Sequence, residues 1–149
     1  MIRIQQEDFD AGAEIKTLTD GNLHIGGVVS FIGLVRDMAD GSSIKGMTLD
    51  HYPGMTERML AKIEAEAVER WDLDACLIIH RYGPLKPGDQ IVLAITASAH
   101  RKAAFEANEF LMDWLKTKAP FWKRESGAHG DKWVEAKASD NDAADRWSR

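Results

Sequence analysis

Apolar and β-branched residues gather in short runs, which predict buried or half-buried β-strands. The runs cover 27–35, 47–52, 75–81, 90–97, 121–125 and 132–136. Residues 83–89 include two prolines and two glycines, so we expect a loop there rather than a strand. Gly26, Gly27 and Gly33, around the first run, are expected to allow a β-bulge or close backbone packing.

Apolar residues that recur every three or four positions predict helices over about 9–18, 56–71 and 98–117. Thr56 and Ser98 have side chains suited to cap the last two helices. Pro120 disfavours helical geometry at the residue before it and should end the third helix. The second helix is expected to bury a stripe formed by Met55, Met59, Ile63, Ala67 and Trp71. Strands and helices that mix without strict alternation predict an α+β domain.

The composition is that of one globular domain. The chain has 149 residues, 44% hydrophobic and 29% charged, so we predict a single domain over 1–149 with a polar tail from 139 to 149. The single cysteine, Cys76, excludes an internal disulfide and a cysteine-based zinc site. No apolar run could span a bilayer and no secretory signal stands at the start, so we expect a cytoplasmic protein away from membranes.

The net charge of −5 argues against general binding of nucleic acids. The stretch from Trp114 to Arg124 nevertheless contains four cations and no acid. Such a local excess of positive charge indicates an anionic ligand, although a solvated basic face is the alternative. Common nucleotide, metalloprotease and hydrolase motifs are absent, and the histidines lack the spacing of metal ligands. We therefore predict no metal site.

Three groups of residues are candidates for the anion site. His100 and Arg101 lie where a strand gives way to a helix, a junction that attracts anions, and Arg36 follows the first long strand. Lys116 and Lys123 flank Pro120, and a bend there could bring them together, lowering the pKa of one amine enough for nucleophilic or proton-transfer chemistry. The helix dipole opposes that shift. The residues alone thus predict an anion pocket with one or two lysines, and no particular reaction.

Five segments, taken in order, resemble the large, catalytic subunit of molybdopterin synthase. Two carry specific motifs: His-Arg-x-x-Ala-Phe-Glu at 100–106, and Lys-x-x-x-Pro-x-Trp-Lys-x-Glu at 116–125. The resemblance covers roughly residues 1–137, with segments at 27–37, 49–55, 80–83, 98–106 and 115–125.

The resemblance implies an α/β hammerhead-like domain with a mixed or antiparallel sheet and two main helices. It also implies a homodimer in which each protomer holds a small ubiquitin-like sulfur-carrier subunit with a C-terminal Gly-Gly. The family converts cyclic pyranopterin monophosphate into molybdopterin by inserting two sulfurs, which arrive as a thiocarboxylate on that subunit. No permanently bound cofactor is implied, and the partner supplies the thiol chemistry.

The same resemblance assigns roles to individual residues. Lys116 and Lys123 match the active-site lysines, and Arg36, His100 and Arg101 match residues that hold the phosphate and the pterin. Lys137 stands where the family often has an arginine that reaches the dimer mate's site. The remaining residues expected to line the pocket are Leu34, Val35, Arg124 and Glu125, with Phe31 and Met112 as apolar walls.

Two other functions are compatible with parts of the pattern. A non-catalytic module for a phosphorylated ligand or single-stranded RNA could stack bases on Trp114, Phe121 and Trp122 beside the lysines. A scaffold with a decayed site could merely dock the small subunit. The negative net charge disfavours the module, and the intact lysines disfavour the scaffold.

Overall fold

The strands pair into two separate four-stranded sheets in a computed structural model that describes residues 1–37, 46–126, 132–134 and 145–148. Sheet A has the order β1-β4-β6-β2, in which β1 pairs in parallel with β4 and the other pairs are antiparallel. Its strands are β1 (Ile2–Gln5), β2 (Gly27–Leu34), β4 (Ala75–Arg81) and β6 (Gln90–Ser98).

Sheet B has the order β5-β3-β7-β8 and is antiparallel throughout. Its strands are β3 (Gly46–His51), β5 (Gly83–Leu85), β7 (Phe121–Ser126) and β8 (Lys132–Val134). Residues 135 and 136, which the sequence pattern adds to β8, lie outside the described part of the chain.

Three α-helices cover sheet A, namely α1 (Ala11–Thr19), α2 (Met55–Trp71) and α3 (Arg101–Thr117). Helices α2 and α3 share the larger core cluster with one face of the sheet. Helix α1 packs through Ile15 and Leu18 on the other face, over the buried side chains of β4 and β6. The α+β prediction is confirmed. Within the described residues, no helix has the length and apolarity to cross a membrane.

Buried polar contacts fix the direction in which α3 crosses sheet A. The Thr96 hydroxyl donates to the carbonyl of Ala104 at 2.7 Å, and the Asn108 side-chain amide donates to the carbonyl of Ala94 at 2.9 Å. As α3 advances, its partners on β6 therefore move backwards along that strand. Helix α3 is antiparallel to β6 and parallel to β2, so α3 and β2 begin at one end of the sheet and finish at the other.

Both predicted helix caps are wrong, because neither Thr56 nor Ser98 occupies the N-cap position of its helix. Helix α2 begins at Met55 after Gly54, and the hydroxyl of Thr56 instead donates to the carbonyl of Tyr52 at 2.8 Å. Ser98 is the buried last residue of β6, while His100 takes the N-cap position of α3 without a side-chain cap.

The predicted apolar stripe of α2 is displaced by one position at its N-terminal half. The buried residues are Thr56, Leu60, Ile63 and Ala67, whereas Met55 is 38% exposed. Strand β1 was not predicted, and β5 forms inside the segment expected to be a loop. The expected bulge is confirmed, because the register between β2 and β6 shifts at Gly33 and Leu34.

Candidate active site

Helix α3 carries the predicted site residues at its two ends. His100 and Arg101 stand at its N-terminus and Lys116 lies in its last turn. Lys116 follows Arg101 by fifteen positions, and at about 1.5 Å per residue the two are roughly 22 Å apart along the helix axis. Within one chain a straight helix therefore holds His100 and Arg101 apart from Lys116, so this chain alone does not form the expected common pocket.

The chain reverses direction directly after α3 and brings Lys123 back towards the end of the helix that carries Lys116, which we call the lysine end. The amides of Lys118 and Ala119 both donate to the carbonyl of Trp114, at 2.8 and 3.3 Å. The amide of Phe121 donates to the carbonyl of Ala119 at 2.8 Å. Strand β7 starts at Phe121. The bend predicted at Pro120 is thus present, and Lys123 lies in the first half of the strand that follows it.

Pairing with β3 fixes the face on which Lys123 lies. Leu49 is opposite Lys123, and His51 is opposite Phe121. Directly opposed residues, and residues two apart on one strand, share a face of the sheet. Lys123, Phe121 and His51 therefore lie on the face of sheet B that also carries Leu49, which is only 1% exposed and belongs to the core.

A buried histidine connects this face to sheet A. His80, near the end of β4, is 7% exposed, and its ring stacks on Phe121 with centroids 3.8 Å apart and planes 14° apart. Burial, together with the charges of Lys116, Lys123 and His51, lowers the pKa of His80 to about 4. Both lysines thus lie close enough to act on one imidazole, which places them together at this end of the molecule.

Arg36 is at the same end as the lysines. His80 pairs with Val92 of β6, and Val92 pairs with Gly33 of β2, so the three residues form one row across sheet A. Arg36 follows Gly33 by three positions and is exposed. Between them, Val35 is held by its amide, which donates to the carbonyl of Asp89 at 2.8 Å. The lysine end therefore combines a guanidinium with two amines.

His100 and Arg101 lie beside a separate open cavity of about 720 Å³. Gly26 is needed there, because a Cβ at this position would lie 2.1 Å from the carbonyl oxygen of Ala99. The prediction of close backbone packing at Gly26 is confirmed. The cavity offers cations at a helix N-terminus, which suits an anion. Its lining residues are Gly26, Ala99, His100, Arg101, Lys102, Phe105 and Glu106.

The other predicted lining residues differ in accessibility. Leu34 and Phe31 are 56% and 39% exposed, whereas Val35 is buried and Met112 is half-buried against the core. Arg124 and Glu125 belong to β7, but their side chains are outside the described part of the structure, as is Lys137 altogether. The roles assigned to all of these residues stay predictions.

Cys76 is an inert core residue, as predicted. Its side chain is buried in β4. Burial raises the pKa of the Cys76 thiol to about 12, so the thiolate that sulfur chemistry requires does not form at neutral pH.

Two residues of the lysine end, His51 and His80, were missed by the sequence analysis. Both were set aside because the histidines lack the spacing of metal ligands. The ring of His51 also lies near that of Phe121, with centroids 5.8 Å apart, and its Nδ1 is 2.9 Å from the hydroxyl of Thr56. Each histidine falls within a segment that carries the family resemblance, and that was the signal available to find them.

The family whose description reads MoaE protein matches residues 4–118. The chain belongs to the MoaE family. The MoaE match includes His100, Arg101 and Lys116 and stops before Lys123.

Individual MoaE relatives extend the likeness beyond Lys123. The molybdopterin synthase catalytic subunit of Pseudomonas aeruginosa is 56% identical over 146 residues, which cover 98% of this chain and 97% of the relative. The molybdopterin biosynthesis MoaE protein of Burkholderia ambifaria has a TM-score of 0.85 and 48% identity, with 100% of this chain and 98% of that one covered.

A more distant structure shares the fold. The complex of subunits 1 and 2 of molybdopterin-converting factor from Helicobacter pylori gives a TM-score of 0.73 at 23% identity, with 92% and 90% of the two chains covered. Together these MoaE likenesses confirm the predicted family, its fold class and the sulfur-transferring class of enzyme.

Proposed function

We propose that this chain is the catalytic subunit of a molybdopterin synthase and converts cyclic pyranopterin monophosphate into molybdopterin. The observation that carries the proposal is the grouping of Lys116 and Lys123 beside one buried imidazole, with Arg36 at the same end. Two amines and a guanidinium suit a phosphorylated substrate on which negative charge develops. The names of the MoaE relatives give the enzyme as molybdopterin synthase, and the family resemblance implies the substrate.

The amines would act by electrostatics and proton transfer. One ammonium group would stabilise the negative charge that develops on the oxygen displaced from the pterin side chain, and could supply the proton that this oxygen takes up. The other would hold the incoming thiocarboxylate. Arg36 offers a forked donor for the phosphate.

Sulfur would come from a small partner subunit. The related Helicobacter pylori structure is a complex of two subunits, and the family resemblance implies a ubiquitin-like partner whose C-terminal Gly-Gly carries a thiocarboxylate. The buried thiol of Cys76, with its pKa raised to about 12, supports an external source of sulfur. On this proposal the chain holds no permanent cofactor, and two thiocarboxylates are consumed for each molybdopterin formed.

We further propose a homodimer, since one chain separates the lysine end from His100 and Arg101. Among the described residues, β2 pairs with a strand on one side only. Edge strands of this kind are ready to pair with another chain. Its apolar side chains are partly exposed: Val28 37%, Phe31 39%, Ile32 39% and Leu34 56%.

Antiparallel pairing of β2 with its copy would complete the site. The first residue of β2 adjoins the start of α3, because a Cβ on Gly27 would lie 3.3 Å from the Cα of Arg101. The strand then extends over eight residues, roughly 23 Å, towards Arg36 and the lysines. A two-fold axis between the two copies of β2, level with the middle of the strand, would therefore place the lysine end of one protomer beside His100 and Arg101 of the other.

The purified reaction, with thiocarboxylated partner and cyclic precursor, tests the enzyme proposal. Lys116→Ala and Lys123→Ala should each lower turnover by roughly 10²-fold or more, the loss expected for a group that stabilises developing charge. Lys118→Ala is the matched control, because Lys118 is exposed and close in sequence to Lys116. A folded Lys116→Ala or Lys123→Ala variant that turned over at the wild-type rate would contradict the assignment of that lysine.

The aromatic residues argue against an RNA-binding module. Trp122 packs against Tyr52 with ring centroids 4.6 Å apart, and Phe121 stacks on His80. Trp114 is half-buried against the core. Because these rings already have protein partners, they do not form a platform for bases. A salt titration that found tight, steeply salt-dependent RNA binding would reverse this conclusion.

A further inference from the structure

His80 is a buried ionisable residue to which the proposed reaction gives no task. It belongs to β4 in sheet A, and its ring stacks on Phe121 in sheet B. The stack is thus a direct contact between the two sheets. Phe121 is two residues before Lys123 on the same face of β7, so the position of the His80 ring affects where Lys123 lies.

The hydrogen bond at Nδ1 fixes the tautomer of the His80 ring. Nδ1 lies 2.9 Å from the carbonyl oxygen of Arg81. A carbonyl oxygen can only accept, so Nδ1 carries the proton. In the neutral ring the lone pair is then on Nε2, which is free to accept a hydrogen bond or a proton.

The surroundings keep this ring neutral. The ionisable groups that act on it are Lys116 of α3, Lys123 of β7 and His51 of β3, and each of them is cationic when protonated. Burial and these charges hold the pKa of His80 at about 4, so at neutral pH the imidazole carries no charge. A protonated ring would add a third positive charge beside two ammonium groups.

We propose that His80 is a positioning residue of the lysine site, whose stack on Phe121 fixes β7 and whose Nε2 accepts a hydrogen bond from the neighbouring lysine amines. The inference rests on the proposed function for its catalytic consequence alone. A side chain that only packed against Phe121 would need just the volume of the ring. The positioning role needs that volume and also an acceptor at Nε2.

Nitrogen NMR of the histidine side chains in the full chain tests the geometry without any substrate. We expect the His80 ring to stay neutral, with its proton on Nδ1, between about pH 5.5 and 8. Its Nε2 resonance should move when Lys116→Met or Lys123→Met removes an ammonium donor. A ring that carries its proton on Nε2, that titrates in this range, or whose Nε2 resonance is the same in both lysine variants would overturn the proposal.

Kinetics of two His80 variants test the consequence. His80→Phe keeps an aromatic ring against Phe121 but has no acceptor, whereas His80→Gln places an amide oxygen near the position of Nε2. For folded protein, we expect His80→Phe to lower kcat roughly tenfold or more with little change in KM, as misplaced catalytic groups do. His80→Gln should retain the larger share of kcat, and equal losses in the two variants would overturn the acceptor role.

A control variant, used with the NMR and kinetic measurements, distinguishes failure of the positioning role from failure of the proposed function. His24→Gln should leave kcat unchanged, because His24 is 73% exposed and bonds Asp74 at the opposite end of β4. If neither Lys116→Ala nor Lys123→Ala impaired the enzyme, the proposed function would fail while the NMR result for His80 still stood. If the lysine variants were inactive but the Nε2 resonance of His80 were unchanged in both, the positioning role alone would fail.

Discussion

Mixing two inactive variants should restore activity if each site draws on two protomers. Lys116→Ala removes an amine at one end of α3, and Arg101→Ala removes a guanidinium at the other end, roughly 22 Å away. A mixed dimer of these variants has one site that lacks both groups. Its second site combines an intact Lys116 from one protomer with an intact Arg101 from the other.

The size of the recovery follows from the symmetry of the dimer. Free exchange of equal amounts makes half of all dimers mixed, and each mixed dimer has one intact site of two. The mixture should therefore reach about a quarter of the wild-type activity per total protein. If each site lay within one chain, every site in the mixture would lack one group and no activity would return.

The assay follows molybdopterin formation after the two variants have been unfolded together and refolded, with native mass spectrometry to count mixed dimers. A mixture of Lys116→Ala with Lys123→Ala is the matched control, because both changes affect the same end and every site keeps a defect. Mixed dimers with no more activity than the parent variants would refute the shared site. A monomer in light scattering would refute the dimer itself.

Three further expectations concern stability and reactivity. The pKa of His80 is about 4 in the folded chain and near 6.5 in the unfolded one, so the unfolded state binds more protons in acid. Urea unfolding should therefore show ~2–3 kcal/mol of stability lost from pH 7 to 4.5. His80→Phe should lack this loss, and an equal dependence of its stability on pH would contradict the expectation. Trp147→Ala should lower the free energy of unfolding by about 2 kcal/mol, since Trp147 packs on Trp71 and donates to Asp113. Thermal unfolding measures this loss, and Arg146→Ala, the surface control, should change little. Cys76 should react with iodoacetamide far more slowly in the native chain than in urea, and Cys76→Ala should keep sulfur transfer; rapid native labelling would show the burial to be wrong.

The strands of sheet A were predictable where the sequence has a long apolar run. The run at 75–81 matches β4 at both ends, because a strand buried on both faces needs apolar residues at consecutive positions. Strand β5 could not be found in this way. It is three residues long and contains Pro84, which an edge strand tolerates, and only its pairing with β3 makes it a strand.

The helix caps could not be predicted from residue type alone. Threonine and serine suit an N-cap, yet the hydroxyl of Thr56 bonds the carbonyl of Tyr52 and accepts from His51. Ser98 remains in the ladder of β6, opposite Gly27. In both cases a tertiary contact outweighs a local preference worth about 1 kcal/mol.

The division of the site between two ends of α3, by contrast, could have been worked out from the sequence. The helix predicted over 98–117 already contains Arg101 and Lys116, and its rise per residue sets their separation before any packing is known. The bend expected at Pro120 is present and turns the chain back into β7, but no bend lies between Lys116 and Arg101. On the dimer proposal, the motifs that carry the family resemblance lie in two half-sites, and the edge of β2 that no described strand pairs would let a second copy join them.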